Sequence, residues 1–105
     1  MKKMMITAMT LAVLALAATA FAHTPLCDCF DNGDGTVSCE GGFSDGSSAS
    51  GVKMYVKDGS GKVLQEGAMN ADSEFNFKKP EGSYTVLFDA GEGHAVEING
   101  ADIVE

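Results

Sequence analysis

The chain has 105 residues, of which 15 are acidic and 7 are basic, and its formal net charge at pH 7 is −8. This length allows one small domain. An acidic chain whose only basic side chains are lysine and histidine repels phosphate groups, which argues against nucleic acid or anionic lipid as a partner. Thirteen glycines, two prolines and no tryptophan indicate a turn-rich β protein. Composition by itself points to no reaction.

Residues 1–22 contain the three parts of a secretory signal peptide. Lys2-Lys3 forms a charged n-region, residues 4–18 are almost wholly apolar, and residues 20–22 (Ala-Phe-Ala) form an A-x-A cleavage site. We therefore expect a mature chain that begins at His23, is periplasmic or secreted, and does not insert into the membrane after cleavage. Export permits disulfide bonds.

The remainder of the chain is predicted to be a small β domain. Residues 23–50 are interpreted as an irregular, cysteine-containing arm, a first strand starting at Thr36, and a flexible Gly/Ser-rich loop over residues 41–50. Residues 51–105 are predicted to form the core of the domain, because apolar residues there alternate with polar ones at the period of a half-buried strand. Its predicted strands cover residues 52–57, 62–69, 74–78, 84–89 and 95–98. Six or seven short strands at regular spacing predict a monomeric, all-β protein with a small antiparallel β-sandwich of immunoglobulin or prealbumin type.

Three cysteines offer one disulfide and one remaining thiol. Cys27 or Cys29 with Cys39 would close a loop of about ten to twelve residues and pin the N-terminal arm to the first strand. The sequence does not separate these two pairings. The leftover thiol of an exported chain is a candidate metal ligand, intermolecular bridge or redox partner.

Four segments of the core resemble the carboxypeptidase-regulatory-like, prealbumin-type β-sandwich family. They are residues 51–58 (GVKMYVKD), 61–64 (GKVL), 74–77 (EFNF) and 80–86 (PEGSYTV). The resemblance covers about residues 51–98. The family usually has Thr-Asp and then Gly ahead of its third-strand aromatic residue, whereas this chain has Met69-Asn70 and Ser73 there. Because the family is mostly non-catalytic, the resemblance implies a binding or structural module.

A second resemblance bears on function. Residues 89–94 (Asp-Ala-Gly-Glu-Gly-His) are similar to the segment that closes this domain in small exported proteins accompanying nickel and cobalt uptake systems. This resemblance implies that the chain captures nickel or cobalt and presents it to a membrane uptake system.

The two histidines are the first candidates for metal ligands. His23 would carry both a free α-amine and an imidazole, and His94 lies beside acidic residues in a glycine-rich connection. Imidazole and amine nitrogens suit nickel, cobalt, copper and zinc, and thiolates add affinity for the softer ions. The predicted ligands are His23 and His94, then Cys27 and Cys29, with Asp89 and Glu92 as auxiliary oxygen ligands.

The sequence favours binding over catalysis. It contains no G-x-S-x-G motif and no phosphate-binding loop ahead of a helix, so we expect no enzymatic activity. Three alternatives to nickel or cobalt capture stay open. One is a metal-free envelope module that contacts another protein through a sheet edge or through residues 41–50. The second is a copper site built on His23, and the third is a redox role for a reactive surface thiol.

Overall fold

A computed structural model describes residues 24–105 of the chain. The predicted signal peptide and the predicted ligand His23 lie outside the described residues. The described elements are β1 (Pro25–Asp31), β2 (Thr36–Phe43), β3 (Lys53–Asp58), β4 (Val63–Ala68), β5 (Glu74–Lys78), β6 (Tyr84–Asp89), β7 (Ala95–Asn99) and a 3₁₀ turn, η1 (Gly100–Asp102). No helix of this part of the chain is long and apolar enough to cross a bilayer.

The strands form two antiparallel sheets, which confirms the predicted small all-β sandwich. The first sheet has the strand order β1-β2-β5 and the second has the order β4-β3-β6-β7. The inward-facing residues of both sheets form one hydrophobic core, because successive side chains of a strand point to opposite faces. The buried members of this core are Val37, Cys39, Ala49, Met54, Val56, Met69, Phe77, Tyr84, Val86, Phe88 and Ile103.

Aromatic rings join the two sheets at both ends of the core. The ring of Phe43 at the end of β2 lies 6.1 Å from that of Phe88 near the end of β6. The ring of Phe77 in β5 lies 6.1 Å from that of Tyr84 at the start of β6. Burial of a Phe side chain, as at Phe77 and Phe88, contributes roughly 1.5–3 kcal/mol. Because Phe77 pairs with Val37 near the start of β2, the two contacts show that β2 and β6 run in the same direction across the sandwich.

The predicted turn between β3 and β4 is present and is stabilised by Asp58. Its Oδ1 accepts hydrogen bonds from the backbone N–H of Ser60 at 2.9 Å and of Lys62 at 3.0 Å. Gly61 has φ of 90°, a conformation that favours glycine. The residues of the turn therefore define its geometry through local interactions.

The prediction of an irregular N-terminal arm is wrong for residues 25–31, which form β1. Inward-facing Cys27 and Cys29 alternate with outward-facing Leu26 and Phe30, so apolar side chains occupy both faces. The polar/apolar alternation that identifies a strand is therefore weak in this segment. Pairing with β2 makes it a strand, since every residue from Pro25 to Asp31 lies opposite a residue of β2.

The predicted flexible loop is also shorter than expected, because β2 continues through Gly41 and Gly42 to Phe43. A Cβ atom placed on Gly41 would lie 2.7 Å from Cε2 of Phe88, closer than such atoms approach in proteins. Glycine at this position thus permits close packing of the Phe88 ring against β2. The glycine at position 41 suggested a loop, but it instead reflects the close contact between β2 and Phe88 in the core.

Candidate functional site

A disulfide bond joins the two strands at the edge of the first sheet. Cys29 in β1 lies directly opposite Cys39 in β2, with their Cα atoms 4.0 Å apart, and the two sulfur atoms are bonded. This is one of the two pairings that the sequence leaves open. The bond attaches β1 to the core, because Cys39 is fully buried. It is also compatible with an exported protein.

Cys27 is a free thiol beside this disulfide. It lies two residues before Cys29 on the same face of β1 and packs against the core. The Sγ atoms of Cys27, Cys29 and Cys39 all lie within 4.8 Å of one another. Among residues 24–105, this is the only group of three or more Cys, His, Asp or Glu side chains that is so closely spaced. We call these three residues the sulfur cluster.

The surroundings of Cys27 keep its thiol protonated. Burial, and secondly the negative charge of the neighbouring Asp28, raise the pKa of Cys27 from 9.0 to about 11. Both effects disfavour the thiolate, which is the nucleophilic form of cysteine. Cys27 therefore lacks the low pKa of a reactive catalytic cysteine.

His94 is exposed in the connection between β6 and β7. Its Nδ1 lies 3.1 Å from the carbonyl oxygen of Glu92. Because a carbonyl oxygen only accepts hydrogen bonds, Nδ1 is the donor, and the neutral imidazole then has its lone pair on Nε2. Histidines that bind metals commonly donate their second ring nitrogen to a backbone carbonyl in this way. The backbone thus holds His94 in a tautomer suited to binding an ion through Nε2.

The two predicted auxiliary carboxylates do not converge on His94. Asp89 is half-buried at the end of β6, and its Oδ1 accepts a hydrogen bond from the backbone N–H of Gly91 at 3.1 Å. Glu92 is exposed, and its backbone oxygen rather than its carboxylate contacts His94. Within the described residues, these three side chains do not form a closely spaced ligand group.

The start of β1 and the loop that carries His94 lie at the same end of the sandwich. Pro25 pairs with Phe43, which contacts Phe88 in the other sheet. Phe88 pairs in turn with Val96, two residues after His94.

An open depression of about 500 Å³ lies beside the loop that carries His94, lined by Ser50, Gly51, Val52, Lys53, Asp89, Ala90 and Gly91. Thr24, the residue that follows His23 in the sequence, is held at this end by two hydrogen bonds with Ser44.

Sequence reasoning missed an exposed apolar feature on the outer face of β1. Leu26 and Phe30 are 51% and 43% exposed, and they lie on either side of Asp28 on that face. Their exposure became evident only once residues 25–31 were known to be a strand. In an irregular segment, the same residues would have no common face.

Comparison with protein-family models, curated proteins and solved structures finds no match. Both family resemblances of the sequence therefore stay predictions.

Proposed function

We propose that this protein is an exported, non-catalytic binding protein that captures a transition metal ion, nickel or cobalt, for a membrane uptake system. The supporting observation is that the strand following His23 begins at the same end of the sandwich as the loop carrying His94. Thr24, the residue that follows His23 in the sequence, and the loop carrying His94 thus lie at one end of the domain.

The state of His94 supports the same proposal. Its Nδ1 is engaged by the carbonyl of Glu92, so Nε2 is available to an ion. The side chain is exposed and can accept an ion without disturbing the core. Its exposed position also suits release of the ion to a partner.

The overall charge favours cations in general. An excess of acidic over basic residues raises the local concentration of divalent cations near the surface. A protonated imidazole has no lone pair for a metal ion, so the affinity for metal should fall under acidic conditions.

Native mass spectrometry of the protein purified from an exported fraction tests the proposal. The spectra give the first residue of the mature chain, the number of oxidised cysteines, and the stoichiometry with nickel, cobalt and copper. We expect one ion per chain beginning at His23, and loss of that ion in His94→Ala. Glu97→Ala, a change at an exposed β7 residue outside the loop, is the matched control and should keep the ion.

Three outcomes would count against the proposal. A protein that stays metal-free with all three ions would contradict metal capture. A mature chain that starts at another residue would remove His23 as its terminal ligand. Copper binding that needs His23 but is unaffected by His94→Ala would instead support the alternative copper site.

A second candidate function is metal-free contact with another protein, favoured by the exposed apolar pair Leu26 and Phe30 on the outer face of β1. Replacing both with serine should abolish such contact without affecting the core. His94→Ala should leave it intact. The two variants therefore separate this function from metal capture.

A further inference from the structure

We propose that the sulfur cluster, when its disulfide is reduced, is a second metal site that binds one copper(I) ion through the three sulfur atoms of Cys27, Cys29 and Cys39. This site differs from the histidine end in its residues, its ion and its redox state. In the oxidised protein, Cys29 and Cys39 are bonded to each other and the site is closed. Only Cys27 then offers a thiol.

The spacing of the three residues fits an ion with three sulfur ligands. Metal–sulfur bonds of about 2.3 Å in a trigonal plane place the sulfur atoms about 4.0 Å apart. The three Sγ atoms all lie within 4.8 Å of one another while the disulfide is intact. When the disulfide opens, Cys29 and Cys39 move to non-bonded contact, which approaches the separation that the ion requires.

The backbone holds these residues in place independently of the disulfide. Cys29 and Cys39 are opposite one another in the β1–β2 ladder, and Cys27 faces Gly41 in the same ladder. All three side chains point toward the core. The ladder therefore presents three sulfur atoms on one face even after reduction.

The composition of the site selects the ion. Thiolates are soft ligands that favour copper(I) and zinc. Structural zinc sites require four ligands, but no His, Asp or Glu within residues 24–105 joins the three sulfur atoms. Asp28 does not join because it lies on the opposite face of β1. Three sulfur atoms complete the coordination of copper(I), which accepts a trigonal arrangement.

Loading the site requires a two-electron reductant. A dithiol reduces the Cys29–Cys39 bond to two thiols and becomes a cyclic disulfide itself. One copper(I) ion then binds the three cysteines and releases their three thiol protons to solvent, with no change in the oxidation state of the metal. Cys27 and Cys29 are half-buried whereas Cys39 is fully buried, so the ion enters on the β1 side. Since protons are released, the affinity should rise with pH.

The test compares oxidised protein, dithiol-reduced protein and dithiol-reduced Cys27→Ser. Copper(I) is offered anaerobically in competition with a chromogenic copper(I) chelator, and circular dichroism follows thermal unfolding with and without one equivalent of the ion. We expect reduced protein to bind one ion and to unfold at a higher temperature with it. Removing one ligand in Cys27→Ser should weaken the affinity by at least about tenfold. Ser38→Ala, a change on the outer face of β2, is the matched control and should bind normally.

Each outcome decides the matter. Equal affinity in reduced protein and reduced Cys27→Ser would overturn the three-sulfur site. If reduced protein were unfolded, refolding on addition of copper(I) would support the site, and continued unfolding would overturn it. Binding by oxidised protein would point to His23 and His94 and not to the sulfur cluster. Nickel is tested on oxidised protein and copper(I) on reduced protein, so failure of one proposal is distinguishable from failure of the other.

Discussion

Replacing Gly41 with alanine should destabilise the protein although it adds only one methyl group. The new Cβ would lie 2.7 Å from Cε2 of Phe88, 3.0 Å from Cε of Met69 and 3.3 Å from Cβ of Ala49. The methionine end is flexible and can move aside. The Phe88 ring cannot move freely, because it is fully buried and packs against Phe43.

The expected size of the effect follows from two opposing contributions. Overpacking a core typically costs about 1–3 kcal/mol, and replacing glycine within a strand recovers about 0.5–1 kcal/mol of conformational entropy. We therefore expect Gly41→Ala to lower the free energy of unfolding by up to about 2.5 kcal/mol. In a domain of this size, each kcal/mol shifts the melting temperature by roughly 4–8 °C.

Gly42 provides a matched control in the same strand. A Cβ there meets nothing closer than the carbonyl oxygen of Ser47 at 4.0 Å. Gly42→Ala should therefore be neutral or raise the free energy of unfolding by up to about 1 kcal/mol. Urea unfolding followed by far-UV circular dichroism measures both variants. If Gly41→Ala were as stable as Gly42→Ala, the close approach of Phe88 to β2 would be refuted.

Three further predictions concern the disulfide, the free thiol and one ion pair. Reducing Cys29–Cys39 should lower the free energy of unfolding by about 2–3 kcal/mol in urea titrations, and the double serine variant should no longer respond to dithiol. The pKa of Cys27 is raised from 9.0 to about 11, so this thiol should be alkylated about a hundredfold more slowly at neutral pH in native protein than in urea. Equal rates would contradict the burial of this thiol. The hydrogen bond from Lys79 lowers the pKa of Asp31 below its usual value of 3.8. The ionised carboxylate of Asp31 therefore stabilises the folded protein above that pH, and this stabilisation is lost as the pH falls below it. Asp31→Asn should accordingly destabilise the protein at neutral pH more than under strongly acidic conditions, and an equal effect at both would contradict this reasoning.

The core strands were predictable because their information is local. β6 reads Tyr-Thr-Val-Leu-Phe-Asp, and its buried positions alternate with half-buried ones as the sequence indicates. Asp58 and Gly61 mark the β3–β4 turn through their own hydrogen bonds and backbone angles. Period-2 patterns and turn residues act within a few residues, so no knowledge of distant partners is needed.

β1 and the end of β2 could not be predicted in the same way. The outward Leu26 and Phe30 conceal the alternation of β1, and Gly41 looks like a loop residue until Phe88 is seen to pack against it. Both features depend on residues far away in the chain. The candidate ligand His94 was evident from the sequence, but its hydrogen-bonded tautomer was not, because that depends on the path of the loop.

The sequence by itself determined the all-β class and the strands from β3 to β7, and it predicted a disulfide bond that includes Cys39. It left open whether Cys27 or Cys29 forms the bond, because the two are only two residues apart and would close loops of similar length with Cys39. Only the register between β1 and β2 decided this, by placing Cys29 opposite Cys39 and Cys27 opposite Gly41. The tertiary structure likewise placed the start of β1 and the His94 loop at one end, since packing of two sheets brings together residues that local patterns cannot relate.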